Sequence, residues 1–200
     1  MLMLGLPLLL LWSGGQQFLL PGLWILSLYC LFIHQGSDGL SLRDSWNRAI
    51  VTRAQVKKIV VPFLPCAALL AALTYFLVPQ NFLGFVRTNP GFWAIIMVAY
   101  PLLSVIPQEI IYRWFFFERY RRIFLTDRAL IMASALAFGL GHIVFHNWVA
   151  PLLSTVGGLM FAATYIRCRS LALVSLEHAI YGDFIFTIGL GWYFYHGAHH

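Results

Sequence analysis

An all-α, polytopic transmembrane bundle of about seven or eight helices is the fold this sequence predicts, and three observations predict it. Of its 200 residues 60% are hydrophobic and only 10% charged, with a mean hydropathy of +0.79, far from the profile of a soluble globular domain. Apolar blocks recur between short polar connectors, and the basic residues collect in the connectors. Strands alternating as in a membrane barrel are not visible, and lipid leaves the backbone no other choice than helices. The net charge of +6 sits at helix ends, which argues against nucleic acid as a partner and for the lipid bilayer. Cys30, Cys66 and Cys168 show no metal-binding spacing and read as small packing groups.

The whole chain, 1–200, reads as a single integral membrane domain, expected as a multi-pass protein of a bacterial inner membrane. Residues 1–34 form N-terminal helices: 1–13 lack the basic start and small-residue cleavage site of a signal peptide and are expected as a short, re-entrant or spanning helix broken at Gly14-Gly15. A fuller apolar helix covers 17–34, with Pro21 in its first turn. Residues 35–58 form a basic connector on the cytoplasmic side, and 40–56 can be written as an amphipathic helix presenting Leu42, Trp46, Ile50 and Val51. Peripheral spans occupy 59–100, and the core of the molecule 101–185.

Within that core a helix from about 91 to 124 carries Pro101 and Pro107, the latter expected to kink it or restart it. Thr126 or Asp127 caps the next helix, 128–146, and further helices follow at 152–166 and 171–195. Basic clusters at 43–58, 119–128 and 167–169 are separated by pairs of spans, so all three are expected on the cytoplasmic face, giving seven crossings when 1–13 is counted.

Three acidic residues fall at membrane depth: Glu109, Glu177 and Asp183. The polar residues that match them are Arg113, His142, His146 and His178. Glu109 and Arg113 stand four apart and share a helix face, so each reduces the cost of burying the other. Glu109 precedes Thr126 by about as many residues as His142 follows it, so a hairpin brings both to one level, where they are expected to meet. Gly139 and Gly141 would let a neighbouring helix or a substrate backbone approach. Intramembrane ionisable groups of this kind mark a functional site by default. His146 reads as an interfacial residue near the outer end. Glu177 points away from His178 and supports another histidine or a helix contact. Trp192 to Tyr195 read as an interfacial aromatic belt, and His196, His199 and His200 as too exposed to hold a metal.

Gln108-Glu109-x-x-x-Arg113, Phe138-x-x-x-His142, and His178 followed by Gly182 and Asp183, together resemble the EExxxR, FxxxH and HxxxN motifs of the CAAX-protease and bacteriocin-processing (CPBP or Abi) family of glutamic intramembrane endopeptidases. The resemblance covers about 101–185. It implies an active site inside the bundle that hydrolyses a peptide bond in a membrane-anchored protein or peptide, such as a prenylated tail, a sorting signal or a bacteriocin-type leader. It further implies Glu109 as the base that activates water, His142 as its partner, His178 as oxyanion donor and Arg113 as the group that orients Glu109. Two positions depart from the family pattern: Gln108 replaces the first glutamate, and Gly182 the asparagine, so Asp183 or Asn147 would complete the oxyanion site, or His178 would serve alone.

No cofactor is implied. The alternatives are a non-catalytic membrane binding or immunity protein that keeps the fold, and a zinc protease in which His142 and His146, four apart, join Glu109 or His178.

Overall fold

A computed structural model describes residues 18–34 and 39–194. The expectations for 1–13, Gly14-Gly15, Tyr195 and the terminal histidines fall outside these residues. Among the described residues the architecture is helical throughout, with six long helices: α1 (Leu19–His34), α2 (Arg53–Leu77), α3 (Pro90–Tyr120), α4 (Asp127–Gly141), α5 (Val149–Cys168) and α6 (Leu171–Ile188). Five spans, α2, α3, α4 continued to Phe145, α5 and α6, are long and apolar enough to cross a membrane, and α1 is a shorter apolar helix. Phe32, Phe76 and Leu77 stand exposed on the outside of the bundle, as side chains that face lipid do.

Helix α3 runs on past both prolines without a break in the helix. It does so by widening into π-helical turns at Pro101–Val105 and Ile110–Phe115. Proline lacks the N–H that would close an α-turn, and a local π-turn redistributes the freed carbonyls. Leu103, four residues before Pro107, gives its carbonyl to the Trp24 indole of α1 at 3.0 Å. The second π-window carries Arg113, and residues Ile110 to Phe115 are all buried.

The connector after α1 is not one amphipathic helix. It breaks into a turn at Leu42–Ser45 and a 3₁₀ turn at Arg48–Ile50, because Ser41, Asn47 and Thr52 each cap a fresh start with their side chains. These pieces fold against one end of the bundle. Glu118 of α3 accepts from the Leu40 N–H at 3.0 Å and pairs with Arg169, Trp114 donates to the Leu40 carbonyl, and Ser170 donates to the Asn47 carbonyl. The basic stretches of 43–58, 119–128 and 167–169 therefore share one end, as the positive-inside reading requires. At the other end Leu83 N–H reaches the Ile188 carbonyl, and Asn147 the Tyr193 carbonyl.

Thr126 supplies the cap of α4, accepting from Ala129 N–H at 3.1 Å. The span then tightens into a 3₁₀ turn at His142–Phe145, and His146 takes a left-handed conformation with φ 55° that ends it. Helices α4 and α5 pack closely because Gly139 has no side chain: a Cβ there would overlap the Thr155 hydroxyl. The close approach expected at Gly139 is thus made by a helix. Gly139→Val is expected to lower stability by about 1–3 kcal/mol through overpacking, measured by thermal unfolding of the detergent-purified protein; an unchanged melting temperature would refute this packing.

Candidate active site

Glu109 and Arg113 lie on the inward side of α3, and neither side chain has any exposure. Their nearest atoms, Oε2 and Nε, stand 3.3 Å apart at an angle that makes an ion pair without a hydrogen bond. Arg113 also reaches the Ser134 hydroxyl of α4 at 3.4 Å, and Ser134 in turn donates to the Tyr112 carbonyl at 2.7 Å. The guanidinium sits over the Phe138 ring at 4.8 Å and the Phe161 ring at 5.7 Å, faces that favour a cation. The pair is thus held by charge, by one hydroxyl and by two aromatic rings.

The other carboxylate oxygen, Oε1, meets Nδ1 of His178 on α6 at 2.8 Å. The His178 ring stacks on Phe161 at 4.6 Å, with the Phe138 edge 5.4 Å away. Its Nε2 lies 3.0 Å from the Tyr100 hydroxyl. Glu109 therefore joins α3 to α6 through a direct contact that the sequence analysis did not pair.

Glu109 and His142 make no direct hydrogen bond; the carboxylate turns to His178 instead. The hairpin instead brings Phe138 onto the ion pair. His142 bonds through Nδ1 to the Phe138 carbonyl at 2.7 Å. A carbonyl only accepts, so Nδ1 carries a proton and Nε2 is left as the acceptor of the ring.

His142 lines a cavity of about 790 Å³ whose polar wall also includes Tyr100, Ser104, Gln108 and His178. Glu109 is not part of that wall. Gln108 takes the cavity side, bonded through its amide nitrogen to Ser104 at 2.7 Å, with its carbonyl oxygen unpartnered. Successive helical residues point about 100° apart, so one of the two faces the cavity and the other the ion pair. Leu20, Leu69, Leu103 and Val156 belong both to the cavity wall and to the exposed outer surface, so the cavity reaches the side of the bundle.

The remaining site residues fall away from this wall. Asn147 spends its amide nitrogen on the Phe145 and Tyr193 carbonyls, at 3.0 and 2.8 Å, and its oxygen on Ala150 N–H at 2.9 Å. It closes the turn into α5 and has no donor to offer an oxyanion. Asp183 also lies off the cavity wall, with one buried oxygen unpartnered. Glu177 is buried on another side of α6, again with an unpartnered oxygen. His146 is exposed and separated from His142 by the left-handed turn, so the two do not share a helix face as zinc ligands four apart would. Sequence reading missed Tyr100 and Ser104. Ser104 was legible, being four residues before Gln108; Tyr100 was not, since its contact with His178 is between distant parts of the chain.

Helices long and apolar enough to span a membrane, packed around a buried carboxylate and two histidines, define a multi-pass membrane protein with a polar centre inside its bundle. Residues 89–182 match the family model described as "Type II CAAX prenyl endopeptidase Rce1-like", so over this stretch the chain is similar to that branch of the CAAX-protease family. No curated protein and no solved structure matches the chain. The family supports a peptidase activity of the CAAX type within the membrane.

Removing one partner of a buried ion pair leaves the other uncompensated. Glu109→Ala is therefore expected to cost about 3–5 kcal/mol, and Gln108→Ala, which loses a single neutral hydrogen bond, about 1 kcal/mol. Thermal unfolding of both variants beside the parent checks this; equal losses would refute the assignment of Glu109 to the sealed side.

Proposed function

We propose that the chain is an intramembrane endopeptidase that hydrolyses a peptide bond in the membrane-inserted tail or leader of another protein. The observation that carries the reading is the Glu109–His178 contact behind a cavity that His142 also lines. The cavity volume of about 790 Å³ suits a lipophilic tail of considerable size, and its reach to the side of the bundle gives a membrane-held substrate a way in. A bacterial cytoplasmic membrane with the basic connectors inside is the setting this reading assumes.

Glutamate-dependent hydrolysis takes a particular form here. Because Glu109 is sealed from the cavity, it acts through His178 instead of touching the water itself. Nε2 of His142 takes a proton from water, and the hydroxide attacks the scissile carbonyl carbon. His178, fixed by Glu109, stands on the side where negative charge develops on the carbonyl oxygen. As the carbon–nitrogen bond breaks, His142 returns the proton to the departing nitrogen, leaving a carboxylic acid and an amine. Arg113 keeps Glu109 charged and oriented.

A second reading has its own support. An amide at 108 cannot accept a proton from water, and the glutamate beside it is sealed away, so a protein that binds a membrane-borne tail without cutting it would look the same at these two positions. Purified protein in lipid nanodiscs, given prenylated and unprenylated tail peptides, separates the readings by mass spectrometry of the products. Cleavage by the parent is expected, with a loss of about 10²–10⁴ in His142→Ala and about 10²–10³ in His178→Ala. A parent that binds the peptide and leaves it intact would establish the second reading, and loss of cleavage on adding a chelator would establish zinc chemistry.

A further inference from the structure

Tyr100 and Gly182 form a single feature. A Cβ built on Gly182 would overlap the ring edge and hydroxyl of Tyr100, so this tyrosine fills the space that a side chain at 182 would need. Tyr100 ends the α-helical first part of α3 just before the π-window at Pro101, and its ring lies 5.1 Å from Phe186 of α6. Its hydroxyl is 3.0 Å from Nε2 of His178, and both Tyr100 and Gly182 line the cavity. A continuous path results, from the sealed Glu109 through His178 to a hydroxyl at the cavity wall.

We propose that Tyr100 is the group through which the Glu109–His178 pair reaches the substrate, its hydroxyl donating a hydrogen bond to the developing oxyanion in the space that Gly182 leaves open. This rests on the peptidase reading above. Both nitrogens of His178 are engaged, Nδ1 by Glu109 and Nε2 by Tyr100, so His178 has no further donor for an oxyanion. In the tautomer that donates Nδ1–H to Glu109, Nε2 accepts from the Tyr100 hydroxyl, and that hydrogen turns from Nε2 to the carbonyl oxygen as charge develops there. In a dry interior such a chain of hydrogen bonds strengthens each member. The third motif ends in a residue without a side chain, and the donor it lacks is supplied from another helix.

Four variants and the parent test this in nanodiscs. Tyr100→Phe is expected to lower kcat about 10²–10³-fold, with KM and melting temperature unchanged, and to move the Nε2 resonance of His178 in ¹⁵N-histidine spectra. Gly182→Asn alone is expected to lower the melting temperature through overlap with Tyr100, and Tyr100→Ala with Gly182→Asn to recover part of the kcat that Tyr100→Ala loses. Cleavage by Tyr100→Phe at the parental kcat would overturn the donor role while leaving the peptidase reading intact, as would an unmoved His178 resonance. A parent that cleaves no tail peptide would overturn the peptidase reading and the donor role together.

Discussion

The cost of holding Glu109 and Arg113 out of water governs the arrangement of the bundle around them. Each ion would lose several kcal/mol of hydration on its own, even after relaxation. Their mutual attraction repays part of this, and the rest is met by groups drawn from three other helices. Ser134 of α4 takes one guanidinium nitrogen, the rings of Phe138 and Phe161 present their faces to the cation, and His178 of α6 takes the free carboxylate oxygen. Remove the pair and these side chains lose the reason for their positions. The π-window at Ile110–Phe115 belongs to the same solution, since it sets the direction in which Arg113 leaves the helix.

Gln108 and Glu109 are neighbours in sequence with opposite tasks. The amide faces a cavity with room for a substrate, and the carboxylate faces the guanidinium. A charge on the cavity side would need its own partner in a mostly apolar wall, whereas an amide is satisfied by Ser104 and leaves one acceptor over. The carboxylate behind it is then free to serve as the fixed negative pole for His178. In this layout both histidines line the cavity, and the glutamate orients His178 from behind.

Much of this was legible without coordinates because it is local. The spacing of Glu109 and Arg113, the Thr126 cap and the placing of basic residues at connectors all follow from neighbours a few residues away, where helical geometry is fixed. The breaks in the basic connector were legible in principle too, since Ser41, Asn47 and Thr52 are capping residues, but the apolar periodicity of Leu42, Trp46 and Ile50 pointed to a single helix. Prolines 101 and 107 announce a disturbance of α3, and only the packed structure shows it absorbed as π-turns with the Leu103 carbonyl handed to Trp24.

By itself, then, the sequence determined a helical membrane bundle, the identity of its buried ion pair and the three motifs in which it is similar to a peptidase family, because hydropathy and helical spacing are properties of short stretches. Tertiary structure alone decided which of two adjacent residues sees the cavity, that Glu109 bonds to His178 and not to His142, and that Tyr100 fills the space beside Gly182. Those outcomes depend on the rotation of each helix about its axis and on its π or 3₁₀ turns. A few tens of degrees of rotation exchange one neighbour for another, and that angle is set by packing among helices far apart in the chain.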